Sequence, residues 1–132
     1  MTFECLCGGV TIETETKPDF VHDCNCSLCT KSGALWGYFS PDQVDIAGVT
    51  KGFKRADKNP ASVEVFSCLN CGATTHFAFS DEIVVERTSM MVGVNVRLAD
   101  PADLAGVEVR FPDGRSWDGV GEFSYVRATC NL

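Results

Sequence analysis

The sequence predicts a mainly β fold, small stacked antiparallel sheets with few short helical turns. Three observations predict it. Short apolar or alternating runs recur along the 132 residues, each bounded by turn residues. No long segment keeps a helical period. Seven of the eight cysteines fall in three tight clusters, placed where such runs meet turns. Short cysteine spacings bring thiolates together on one turn, so the sheets are expected to be organised around bound metal.

The elements follow in order. Residues 11–16 alternate and are rich in β-branched side chains, and residues 20–22 lead into the second cysteine cluster. Residues 34–39 carry Trp36, Tyr38 and Phe39; residues 44–46 alternate after the turn at Pro41 and Asp42. Residues 62–66 run with period two into the third cluster, and residues 74–79 leave it. Residues 83–85 and 90–94 are further short runs, and residues 107–111 end at Pro112, Asp113 and Gly114, a strong turn signal. Helical turns are expected only after Pro101, over residues 102–104, and around Ser27 to Lys31. The chain has no repeat, linker or low-complexity tract, so residues 1–132 read as a single domain. A hydrophobic fraction of 45%, with nine phenylalanines and two tryptophans, suffices for a core.

The clusters read Cys5-Leu6-Cys7-Gly8, Cys24-Asn25-Cys26-Ser27-Leu28-Cys29 and Cys68-Leu69-Asn70-Cys71-Gly72. Cys26/Cys29 and Cys68/Cys71 have knuckle spacing, and Gly72 permits a positive φ after Cys71. In an extended segment Cys5 and Cys7 point to one side, so they can meet the Cys68/Cys71 knuckle and close a four-thiolate site. Zinc in structural sites takes four such ligands. Three thiolates, Cys24, Cys26 and Cys29, are left over, and three protein ligands with one open position is the arrangement of a catalytic zinc. An even cysteine count also fits a disulfide framework, but the i, i+2 pairs suit disulfide geometry poorly. The chain opens Met1-Thr2-Phe3-Glu4 with no leader pattern, and no run is long enough to span a bilayer. Metal-bound thiols in a reducing cytoplasm are therefore expected.

The formal charge is −7. Seven ionised thiols and two zinc ions would take it to about −10. Such a surface repels phosphate backbones, which argues against nucleic acid as a partner.

The order C-x-C-G, C-x-C-x-x-C, C-x-x-C-G resembles that of the glutathione-dependent formaldehyde-activating enzyme family, which also includes centromere protein V. The similarity runs from Cys5 to about Val94, and Gly33-Ala34 matches the Gly-Ala that usually follows the middle cluster. Many members have His between the first two cysteines of that cluster, where this chain has Asn25, and Arg after the third, where it has Thr30. The resemblance implies a structural zinc on Cys5, Cys7, Cys68 and Cys71, and an active-site zinc on Cys24, Cys26 and Cys29. It implies a carbon–sulfur lyase that forms S-hydroxymethylglutathione from glutathione and formaldehyde. A zinc with three thiolates suits a fourth sulfur ligand, and binding there lowers a thiol pKa.

Ser27, Lys31, Ser32 and Gly33 lie next to the three ligands in sequence and are candidate substrate contacts, Lys31 for a glutathione carboxylate. The hydroxyls equally suit backbone capping, and Lys31 suits a solvated surface. His22, His76 or Cys130 could close the second site and leave both metals structural, as in a zinc-stabilised binding module. The three-cysteine cluster could also serve redox or metal handling.

Overall fold

The computed structural model describes residues 1–80, 90–119 and 121–132. The run at residues 83–85 lies outside them. Eleven strands form among the described residues: β1 Thr2–Glu4, β2 Val10–Thr14, β3 Phe20–His22, β4 Trp36–Phe39, β5 Val44–Gly48, β6 Thr50–Lys54, β7 Val63–Cys68, β8 Thr74–Phe79, β9 Val92–Asn95, β10 Glu108–Arg110 and β11 Cys130–Asn131. One helix, α1, spans Ser27–Ser32, and 3-10 turns cover Pro41–Gln43, Val96–Leu98 and Pro101–Leu104. The fold is mainly β, as the alternation predicts.

Two sheets result. The smaller has the order β1-β2-β5 and the larger the order β11-β10-β3-β4-β9-β8-β7-β6. The larger sheet is wider than the small sheets expected. Among the described residues every strand pairing is antiparallel except one: β3 and β10 run parallel, with Val21 opposite Val109. Parallel neighbours need a long connection, and here it is most of the chain.

Three strands have no clear signal in the sequence. β1 and β11 are too short to show a period. β6, Thr-Lys-Gly-Phe-Lys, holds a glycine and two lysines, poor strand formers in general but suited to an edge, where charge blunts unwanted pairing.

The sheets meet face to face over Phe3 and Ile12 from the smaller one and Val21, Phe39, Val94 and Val109 from the larger, all buried. Each such side chain contributes roughly 1.5–3 kcal/mol on burial. A second cluster, Ala34, Trp36, Val65 and Phe77, receives Leu28 and Cys29 of α1. Trp36 and Phe77 meet edge to face at 5.0 Å, a favoured aromatic geometry. This packing seats α1, and the second cysteine cluster with it, on the large sheet. A third cluster, Cys5, Val10 and Cys68, joins the β1–β2 turn to the end of β7.

Candidate metal centres

The first centre is built from two turns. Cys5 and Cys7 lie between β1 and β2, where Gly8 N–H donates to Cys5 O at 2.9 Å and Cys5 N–H to Val10 O at 3.0 Å. Cys68 ends β7 and Cys71 lies in the turn to β8, closed by Gly72 N–H to Cys68 O at 2.9 Å. Gly72 has φ of 73°, a conformation glycine adopts without Cβ strain. Cys5 and Cys7 are thus on a tight turn rather than in the extended segment expected. Alternate residues of a strand stand about 6.8 Å apart, too far for one metal, whereas the turn brings their sulfurs to 3.6 Å.

Cys7 Sγ also lies 3.7 Å from Cys68 Sγ, and all four ligand atoms lie within 4.8 Å of one another. Zinc–sulfur bonds of about 2.3 Å imply tetrahedral edges of about 3.8 Å, so the donor set has dimensions consistent with zinc. The Asn70 side chain and the Gly9 N–H bring the Cys7 thiol down to about 6. Val10 N–H donates to Cys5 Sγ at 3.2 Å. Such contacts favour sulfur as thiolate.

The second centre comprises Cys24, just after β3, and Cys26 and Cys29 at the start of α1. Cys26 is the helix N-cap, in extended conformation, and its sulfur accepts from Cys29 N–H at 3.5 Å. Cys24 Sγ accepts from Cys26 N–H at 3.5 Å, and Cys29 Sγ accepts the Trp36 indole N–H at 3.3 Å. The three sulfurs lie within 4.8 Å of one another, and no other His, Cys, Asp or Glu among the described residues joins them.

Three sulfurs this close cannot all ionise without a cation. Hydrogen bonds from the Cys24 and Cys29 thiols bring Cys26 down to about 2. The same sharing pushes Cys24 and Cys29 up. A metal ion would let all three ionise, and a donor set of three sulfurs within 4.8 Å of one another fits a soft metal. Both groups can hold metal ions.

His22 and Tyr38 lie beside this cluster. His22 Nδ1 and the Tyr38 hydroxyl are 2.9 Å apart. Burial, with Arg110 adding to it, brings His22 down to about 4. Burial and the three cysteines push Tyr38 up. Neither His22 nor His76 belongs to a metal group among the described residues. His76 is buried, 3.0 Å from Thr75 Oγ1 and stacked on Phe66 at 4.5 Å. Cys130 is exposed on β11 opposite Val109, outside both groups, so the tail is a paired strand.

The four candidate substrate contacts all lie on or just after α1. Lys31 is exposed. Gly33 caps the helix with φ of 67°. Ser32 Oγ donates to Cys29 O at 3.2 Å, so that hydroxyl caps backbone. Ser27 Oγ accepts from Arg55 Nη2 at 3.0 Å.

Arg55 has no signal in the sequence. It leaves the end of β6, 28 residues from Ser27, and is brought there by the β6–β7 pairing. It is paired with Asp57 at 2.6 Å and feels the charge of Cys26 and Cys29. The turn after Phe111 is announced by Pro112, Asp113 and Gly114, but nothing local marks its arrival at this cluster. Asn25, between two of the sulfurs, bonds to both Asp113 and the Arg115 backbone.

The family model described as glutathione-dependent formaldehyde-activating enzyme matches residues 1–105. That stretch contains all seven clustered cysteines. Among solved structures, a crystal structure of a Rhodobacter sphaeroides protein, a Northeast Structural Genomics target, is similar at a TM-score of 0.59. It is 26% identical, and the match covers 81% of this chain and 97% of that chain. No curated protein matches the chain.

Proposed function

The chain belongs to the glutathione-dependent formaldehyde-activating enzyme family, and we propose that it joins glutathione to formaldehyde as a zinc-dependent carbon–sulfur lyase working in the synthetic direction. The observation that carries this reading is the difference between the two sulfur groups: four ligands in one, three in the other. A four-thiolate set is closed and structural, whereas a three-thiolate set leaves a position for a substrate sulfur.

Cys5, Cys7, Cys68 and Cys71 would hold the structural ion, and Cys24, Cys26 and Cys29 would hold the catalytic one. Zinc bound there supplies a soft cationic site that favours the thiolate of an incoming thiol at neutral pH. The reaction forms one sulfur–carbon bond as the carbonyl π pair moves to oxygen, and the thiol proton ends on the new hydroxyl. No oxidant or reductant is consumed. The chain's own part is largely proximity and orientation, which suffices for an intrinsically easy addition.

Trp36 orients the Cys29 sulfur through its N–H. Tyr38 is a neutral, half-buried hydroxyl and suits donation to a substrate oxygen. Lys31, exposed after the three ligands, suits a glutathione carboxylate and Gly33 the tripeptide backbone, while Ser32 caps the helix and Ser27 holds Arg55. Packing of residues beyond 105 onto this cluster supports reading residues 1–132 as one functional unit. A cytoplasmic setting belongs to the same proposal, because clustered thiols must stay reduced to hold metal. Among the described residues, no helix is long and apolar enough to cross a membrane.

NMR exchange spectroscopy on glutathione and formaldehyde tests the proposal. Protein loaded at both sites should accelerate exchange between free glutathione and its hydroxymethyl adduct. An unchanged rate at saturating loaded protein rejects it.

A further inference from the structure

Residues 112–115 lie beyond the stretch that matches the family model, yet they pack directly on the second sulfur cluster. Asn25 grips this turn at two points. Its Nδ2 donates to Asp113 Oδ1 at 2.7 Å, and its Oδ1 accepts from Arg115 N–H at 2.9 Å. The far side of the turn is held as well: Asp113 N–H donates to Ser124 O at 2.8 Å, and Pro112 bridges Tyr125. Asn25 and Ser116 keep the Asp113 carboxyl below the usual carboxylate range, so it stays an acceptor.

Gly114 sits between these anchors. A Cβ at this position would overlap Cys24 Sγ and lie 3.1 Å from Cys26 Cβ. Gly114 is not among the residues with positive φ. The glycine is therefore needed for space, not for an unusual backbone angle. The backbone fills one side of the sulfur cluster and is fixed from both directions, so the Cys24 sulfur has one place to go.

We propose that Asn25 and the turn it clamps, with Gly114 at its tip, are positioning residues for the Cys24–Cys26–Cys29 centre. The turn fixes the Cys24 sulfur against its two partners, and it walls off one side of the centre, so an incoming thiol must approach from elsewhere. This rests on the reading that the three-cysteine cluster holds a metal. It adds that residues outside the ligand set, Asn25 and a segment the family match does not reach, decide how firmly the cluster holds that metal.

Cobalt(II) titration of the reduced full chain tests it, because cobalt–thiolate bands report sulfur geometry independently of turnover. The parent should take up two equivalents. Gly114→Ala should weaken the second equivalent about tenfold or more and shift its ligand-field bands, leaving the first unchanged. Asn25→Ala should weaken it too, and Asp113→Asn, which keeps the acceptor oxygen, should behave like the parent. Combining Gly114→Ala with Asn25→Ala should cost less than the two losses added, because a freed turn can move its new methyl off Cys24.

A parent that binds one equivalent overturns both this inference and the catalytic-metal reading. Two equivalents in the parent, with unchanged affinity and bands in both single variants, overturn the clamp alone. If Gly114→Ala does not fold, Asn25→Ala against Asp113→Asn decides: equal behaviour of those two overturns the clamp.

Discussion

Cys7 and Cys68 stand 61 residues apart in the chain, and their sulfurs lie 3.7 Å apart. The first belongs to the β1–β2 turn of the smaller sheet and the second to β7 of the larger. A metal at this point therefore bonds the two sheets together and closes a long loop, which removes many states from the unfolded chain.

Loss of one ligand at that centre should cost folding. Cys71→Ser is expected to lower the melting temperature by about 10 °C or more, since structural metal binding is itself folding free energy. Thermal melts followed by circular dichroism, in parent and variant under reducing conditions, give the answer. A variant that melts with the parent would remove the structural role.

Cys26→Ser should separate the two centres. Serine is a good helix N-cap, so α1 keeps its start, while the second cluster loses a soft ligand. Metal analysis should fall from two equivalents to one, with a melting temperature within about 5 °C of the parent. Global unfolding of this variant would make the second centre structural.

The buried histidine on β8 predicts acid sensitivity. Burial brings His76 down to about 4 from its ordinary 6.5. Below pH 6.5 the unfolded chain takes up a proton that the folded chain refuses until about pH 4. Stability is then fully present above 6.5 and falls as the pH drops through that window, by up to about 1.4 kcal/mol per pH unit. Urea midpoints should fall more steeply toward pH 4 in the parent than in His76→Gln. Equal slopes would refute the linkage.

By itself the sequence determined the strand-rich class and the gathering of seven cysteines into three tight clusters. Both are local matters. Alternation over five or six residues dictates which faces are apolar, and a spacing of two or three residues limits how far apart two sulfurs can be. The helical turns at Ser27–Ser32 and Pro101–Leu104 were legible for the same reason. Only the tertiary structure decided the meeting of the Cys5–Cys7 turn with Cys68, the parallel pairing of β3 with β10, and the arrival of Arg55 and Gly114 at the second cluster. Each of these depends on which distant surfaces bury one another. Nothing within a few residues of Arg55 or Gly114 distinguishes them from a surface charge and a turn glycine; their partners at Ser27 and Cys24 are supplied by sheet pairing, which side-chain spacing along one strand does not encode.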